Sequence, residues 1–455
     1  MAGRSLVVQP ERSRLNSPSQ RASGPIETVS LPVKTGSGMQ RFGVLTLSVF
    51  LFALFGRPFD LFLNSFHIPL VLSLLALSAI VFGGRLSVVF ANPTAKLLAL
   101  LTGWLCISAP LGVWPGGSIS LLREEWFNGC MSFVLVVGLT GSSPDAKRLY
   151  KAIAYGMLFA ALMALAYDAR DWTGRLMLPV GQYSNPNDLA YAMTLGLPLW
   201  WMIIRDSTAA TWLRVLGTFA LAPLLLAAFE SGSRAGLLAI VVGCLYLVWT
   251  LTWSQRLKMM VAGFVLVAVV LATSPTNVLM ERIRGTGASE GSSDMRIELL
   301  KDSLVLTARN PVFGVGPGMF AVAQNDLAKN EGALKGTWHV THNTYTELSS
   351  EAGLPALALF LLMLYCFYRD LRKIRRLNLL IKTNRQGEID ALCTGSLIVL
   401  VSLAACFFFG SLAYSPITLT LIGLFAAYTR VALGELERAE SLARANQGPR
   451  LTSAS

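Results

Sequence analysis

The sequence predicts an all-α, polytopic transmembrane helix bundle of about 12 spans, with a partly helical periplasmic loop. Three observations predict it. Apolar residues make up 53% of the 455-residue chain and charged residues only 14%, where a soluble domain carries roughly a quarter charged residues. Those charges are crowded into a few short stretches. Between them run apolar segments long enough to cross a hydrocarbon core of about 30 Å as helices.

Taken in order, residues 1–40 are rich in Ser, Pro and Arg and show no apolar periodicity. They read as a disordered basic cytoplasmic tail, too polar before its first apolar run to be a cleaved signal peptide. Apolar runs follow at 42–56, 66–83, 95–111, 126–140, 150–167, 188–204, 212–229, 235–253, 258–273, 344–368, 392–410 and 414–433. Spans 1–9 therefore fill 41–273, a large periplasmic loop fills 274–343, spans 10–12 fill 344–433, and 434–455 is a cytoplasmic tail. Proline and glycine inside several runs are compatible with this, because neighbouring helices satisfy the freed backbone groups.

Orientation follows from the basic residues, which stay on the cytoplasmic side. An inside N-terminus puts Lys147, Arg148, Lys151, Arg256 and Lys258 inside, together with the dense run Arg369, Arg372, Lys373, Arg375, Arg376, Lys382 and Arg385. The net charge of +12 is thus a topology signal. No basic patch interleaved with exposed aromatics suggests nucleic acid as a partner. The six cysteines lie in or beside apolar runs without a CxxC pair, as small packing residues do.

A connection as long as 274–343 is unusual without a function. Ser292, Ser293 and Asp294 supply helix-start residues and Asn310-Pro311 a stop, so a helix is expected over Asp294–Ala308. Ile297, Leu300, Leu304 and Ala308 recur at helical spacing, and that stripe is expected to lie on the bundle or at the membrane surface.

Three side chains on separate outer segments can carry chemistry. Arg234, in Glu230-Ser-Gly-Ser-Arg-Ala-Gly236, is either a snorkelling anchor or an anion contact. Its planar fork of donors matches phosphate oxygens, and its small neighbours admit a bulky headgroup. Arg296 lies in the first turn of the expected loop helix, where the helix dipole disfavours a cation, so a bound anion would explain it. His342 lies in Trp338-His-Val-Thr-His-Asn-Thr-Tyr345 at the mouth of a span, and an imidazole there can take a proton from a sugar hydroxyl. His339 and His342 lack the Cys or acid cluster that would complete a metal site. Gly314, Gly316 and Gly318 read as a tight turn packing the loop rather than a nucleotide loop. Asn185-Pro-Asn187-Asp188 is a helix start whose amides can also bind sugar.

Four stretches carry a family resemblance. They are Gly174-Arg175…Asn185-Pro-Asn187-Asp-Leu-Ala190, Ser233-Arg234-Ala-Gly236, Arg296…Asn310-Pro-Val-Phe-Gly314-Val-Gly316, and His342-Asn343-Thr-Tyr345…Glu351-Ala-Gly353-Leu-Pro355. In order and spacing the sequence resembles the O-antigen ligase / O-antigen polymerase superfamily of bacterial membrane glycosyltransferases. The resemblance implies a metal-independent, cofactor-free, inverting transfer in the bacterial inner membrane, with the active site facing the periplasm. It implies an undecaprenyl-diphosphate-linked glycan as donor, lipid A-core or a second glycan as acceptor, and membrane lipid around the site. Carried over, Arg234 and Arg296 match the arginines that hold the diphosphate, and His342 matches the general base. Arg175, Asn185, Asn187, His339 and Asn343 are the candidate substrate-binding residues. The His-Asn…Gly spacing looks like the ligase signature, but Ala356 stands where the family often has Gly, Thr or Tyr. Polymerases of O-antigen or exopolysaccharide and protein O-glycosylating relatives stay open. A transporter would place ionisable residues at mid-span, and here the span centres are nearly free of charge.

Overall fold

The structure is a computed structural model that describes residues 31, 36–58, 60, 67–273, 292–330, 338–381 and 383–446. Most of the tail expected over 1–40, residues 274–291 and 331–337 of the expected loop, and the end of the C-terminal tail at 447–455 lie outside the described residues.

Helices begin where the sequence supplies caps. The chain opens with α1 (Gly38–Gly56), α2 (Ile68–Phe82), α3 (Leu86–Phe90) and α4 (Pro93–Leu111). Asn92 caps α4, accepting from the backbone N–H of Thr94, with Pro93 in its first turn. α5 (Pro115–Leu121) runs through a π-turn at Leu122–Trp126 into α6 (Phe127–Leu139). α7 (Ser143–Tyr167) starts at the cap Ser142. A small antiparallel hairpin, β1 (Ala169–Arg170) with β2 (Leu176–Met177), then leads to α8 (Pro186–Arg205), capped by Asn185. α9 (Thr211–Glu230), α10 (Arg234–Thr250) and α11 (Trp253–Thr273) follow. The next segment holds α12 (Ser292–Arg309) and α13 (Phe320–Asn330). Last come α14 (Thr344–Glu351), α15 (Gly353–Leu380), α16 (Gln386–Phe407) and α17 (Pro416–Asn446).

The fold is all-α apart from the hairpin. Every expected span overlaps a helix, and among the described residues α1, α4, α7, α9, α15, α16 and α17 are long and apolar enough to cross a membrane. The expected span at 344–368 is two helices, because Gly353 adopts φ +81° between α14 and α15. The centre of the bundle is closely packed, with Trp126, Trp200, Phe425 and Tyr428 fully buried. Large apolar side chains such as Phe82, Trp249 and Phe264 point outward. In a multi-pass membrane protein that outer surface meets lipid.

The helix expected in the outer segment is present as α12, and its apolar stripe, expected on the bundle or at the membrane surface, does not pack on the bundle. Ile297 and Leu304 are 52% and 54% exposed, while Leu299, Ser303 and Leu306 are buried. Small hydroxyl residues allow that close contact: Thr307 shares a 2.9 Å hydrogen bond with Ser349 of α14. The more apolar stripe is left facing outward.

The bundle has two distinct ends. At one, the start of α7, the end of α8, the start of α16 and the far part of α17 bring together an ion-pair network. Lys147 pairs with Asp206 at 2.5 Å and Glu388 at 3.4 Å, and Arg385 pairs with Glu388 and, at 3.4 Å, with Glu435. At the other end lie the starts of α8, α10, α14 and α17, with the segment 292–330 packed over them.

Candidate active site

Arg234 is placed by a tight turn between α9 and α10. Gly232 takes φ +59°, and Ser233 caps α10 by accepting from the Gly236 N–H at 3.2 Å. Gly236 is small of necessity, since a Cβ there would come within 2.7 Å of the Ala190 Cβ. That contact brings the start of α10 against α8. The small residues of Ser-Gly-Ser-Arg-Ala-Gly are therefore packing requirements, and they leave Arg234 at the rim.

Beside this turn, Arg175 joins three segments. From the hairpin it donates through Nε to the Ser231 carbonyl at 2.7 Å and through Nη2 to the Asn187 Oδ1 at 2.7 Å. The Asn187 oxygen also accepts from the Ser233 hydroxyl at 3.0 Å, so its NH2 is the end turned to the cavity. Asn185 is the α8 cap, accepting from the Asn187 N–H at 2.9 Å. Thus Asn185 and Asn187 line a cavity, while Arg175 is buried and lines neither of the two described below.

His342 is held by the loop between α16 and α17. Its N–H donates to the Ser411 hydroxyl at 3.0 Å, and Thr344 Oγ1 donates to the Gly410 carbonyl at 2.6 Å and accepts from the Leu412 N–H at 3.0 Å. Asn343 caps α14 by accepting from Tyr345 and Thr346 N–H groups. His342 itself takes φ +51°, a conformation uncommon for a side-chain-bearing residue and one that surrounding contacts must hold. Burial, with help from nearby Arg296 and His339, lowers its pKa to about 4. The imidazole is therefore neutral at ordinary pH, with a lone pair available.

These segments enclose two cavities that share His342. The first, about 360 Å³, has Arg234 and Arg296 on its wall with Leu238, Ile297, Leu300 and Phe408. Two guanidinium groups on an apolar wall suit an anionic headgroup attached to a hydrocarbon chain. The exposed stripe of α12 finds its place here. The second cavity, about 560 Å³, is more polar, with Arg57, Gln182, Asn185, Asn187, Asp188 and Glu125 among its lining residues. Its mixed amides and carboxylates suit a polyhydroxylated ligand. Asn343 borders the first cavity, and His339 is exposed and borders neither.

Two carboxylates that sequence reading did not single out tie α14 to its neighbours, Glu351 to the outer segment and Glu347 to the loop before α17. Glu351 is buried and accepts from the Gly318 N–H at 2.7 Å and the Phe320 N–H at 3.1 Å. Gly314, Gly316 and Gly318 all adopt positive φ, forming the packing turn expected of them. A Cβ on Gly314 would lie 2.2 Å from the Glu351 backbone. Glu347 accepts from the Ala413 N–H at 3.0 Å. Arg57, from the end of α1, donates to Gln182 at 2.8 Å and pairs with Asp60 at 3.5 Å. Only their assembly in three dimensions gives these residues meaning.

Comparison with known families adds one decisive observation: residues 219–361 match the family model described as O-antigen ligase. That segment, under a third of the chain, is similar to the O-antigen ligase family. The match carries the superfamily resemblance, a multi-pass membrane glycosyltransferase of the O-antigen ligase or polymerase type that handles lipid-linked glycans. It covers Arg234, Arg296, His339, His342 and Asn343. The matched segment thus supplies both arginines of the first cavity and the histidine, while Phe408, Arg175, Asn185 and Asn187 come from outside it. None of the curated proteins compared with the chain matches it.

Proposed function

We propose that this protein transfers an undecaprenyl-diphosphate-linked glycan to an acceptor hydroxyl at the periplasmic face of a bacterial inner membrane, and that it is an O-antigen ligase whose acceptor is lipid A-core. In this reading the chain crosses the membrane about twelve times, with a large periplasmic loop over 274–343 and both termini in the cytoplasm. The observation that carries the reading is that His342 lines both cavities, one walled by two arginines and one by amides and carboxylates.

The donor's diphosphate lies against Arg234 and Arg296, and its polyprenyl tail leaves past Leu238, Ile297 and Leu300 into lipid. As the bond between the anomeric carbon and the phosphate oxygen breaks, negative charge grows on the diphosphate. Two fixed cations on a low-dielectric wall stabilise that charge without reorganising. The acceptor sugar occupies the polar cavity, where the Asn187 NH2 and Asn185 contact its hydroxyls. His342, neutral and between the two, takes the proton of the attacking hydroxyl. Attack from the side opposite the diphosphate inverts the anomeric centre. Arg175 acts through Asn187, which it holds in place.

Deletion in the native host, followed by a lipopolysaccharide gel, tests the reading. Loss of long-chain material with accumulation of polymerised lipid-linked glycan supports the ligase. Retention of a single-repeat band points to the polymerase of the same superfamily, and unchanged lipopolysaccharide with lost exopolysaccharide points to an exopolysaccharide polymerase. Unchanged glycans of all three kinds would sink the glycosyltransferase reading.

A further inference from the structure

Three carboxylates border the polar cavity, and their surroundings differ. Glu347 is buried and committed to the Ala413 N–H. Glu125 stands exposed on the π-turn. Asp188 is half-buried in the first turn of α8 and makes no hydrogen bond or ion pair among the described residues, although Arg57 and His342 border the same cavity.

An acid in a first helical turn is an ordinary stabiliser, contributing about 0.3–1 kcal/mol through the helix dipole. Three features set Asp188 apart. Asn185 already caps the helix. Asn187, one residue before, is pinned by both Arg175 and Ser233, so the backbone carrying Asp188 is fixed. Finally, the carboxylate is turned to the cavity that His342 shares.

A second argument comes from charge. When His342 takes a proton it becomes an imidazolium near Arg296, whose charge already disfavours that state. Among the described residues lining the arginine cavity, the charged ones are Arg234 and Arg296. A negative group on the polar side is needed for the proton transfer to proceed at a modest free-energy cost.

We propose that Asp188 is a catalytic residue of the transfer: its carboxylate accepts a hydrogen bond from the attacking acceptor hydroxyl and offsets the positive charge that His342 gains on taking that hydroxyl's proton. This rests on the glycosyltransferase reading above. In the step, the acceptor oxygen bonds to the anomeric carbon and the carbon–oxygen bond to the diphosphate breaks. The electron pair leaves with the lipid diphosphate, and the hydroxyl proton passes to His342 and then to water. Asp188 stays ionised throughout.

The test uses the full chain in lipid nanodiscs, with the total lipid extract of the deletion host supplying donor and acceptor. Asp188→Asn keeps the shape and removes the charge. The expected result is a fall in kcat of about 100-fold, with KM for the extract's acceptor changed less than threefold and the thermal midpoint within about 2 °C of wild type. Asp188→Glu restores at least a tenth of the rate, because the charge returns on a longer arm. An Asp188→Asn rate within threefold of wild type overturns the proposal. So does a Glu variant no faster than Asn, which would make shape rather than charge the requirement. A wild-type protein that transfers nothing overturns the glycosyltransferase reading and the proposal together, whereas transfer by wild type and Asn alike removes only the proposal.

Discussion

At one end of the bundle charge meets charge; at the other it borders open cavities. Lys147, Asp206, Glu388, Arg385 and Glu435 form a continuous ion-paired chain, mostly removed from solvent. Arg234, Arg296, Asp188 and His342 border two cavities instead. The helices α7, α8, α16 and α17 each reach both ends. The same rods are thus fastened at one end by mutual neutralisation; at the other, beside ion pairs such as Arg170 with Glu230, they also place charges on cavity walls. Charges that satisfy one another serve stability, and charges aimed at space serve binding.

The comparison breaks or sharpens under substitution. The largest effect is expected from Arg385→Ala, which removes a cation from both Glu388 and Glu435 and leaves them to Lys147 and Ser143 respectively. Breaking a buried pair this way costs about 3–5 kcal/mol, read by chemical denaturation in detergent, while transfer per folded molecule stays at the wild-type level. A loss of rate without a loss of stability would erase the distinction between the ends. Next comes Arg296→Ala, expected to slow transfer about 100-fold, or roughly 2.7 kcal/mol of barrier, with stability changed by less than about 0.5 kcal/mol. Product formation from a lipid-linked glycan checks the first number and denaturation the second.

Glu351→Gln is expected to lower stability by about 1–2 kcal/mol, because the amide can accept from only one of the Gly318 and Phe320 N–H groups that the carboxylate now satisfies. The smallest effect concerns pH. His342 has its pKa lowered from 6.5 to about 4 in the folded chain. As pH falls below 6.5 the unfolded chain takes this proton first, so the folded state loses stability from there down to about pH 4. Replacing His342 with Phe should flatten that part of a thermal-midpoint-against-pH curve, and an unchanged curve would argue against the buried, neutral imidazole.

Much of the fold was legible, and part of the site. Apolar runs separated by charge clusters give the helix positions, because a helix in lipid must be long and apolar throughout. Arg234, Arg296 and His342 were legible as unusual polar groups on outer segments, and the structure brings all three to one cavity wall. The sequence left the α12 stripe two places, bundle or membrane surface, for a physical reason. In water the apolar stripe is the buried one, but beside lipid and a ligand cavity Ile297 and Leu304 face outward while Ser303 and Thr307 pack. Glu351 and Asp188 were not legible because a carboxylate's role depends on its partners. One accepts two loop N–H groups and the other has no hydrogen-bond partner among the described residues, and nothing local in either sequence distinguishes them.

The tether between His342 and Ser411 has a bearing on how the enzyme comes into being. Seventy residues or so of chain separate the two, on the order of several seconds of synthesis at common ribosomal rates, and α15 and α16 must insert before Ser411 exists. Until then the imidazole lacks the hydroxyl that fixes its backbone and the Gly410–Leu412 segment that Thr344 grips. In the proposed mechanism, a half-made chain already carries both arginines that would attract a lipid diphosphate, but not the anchored base. On that proposal, biosynthesis arms the protein last, and an unfinished copy would be a binder rather than a catalyst.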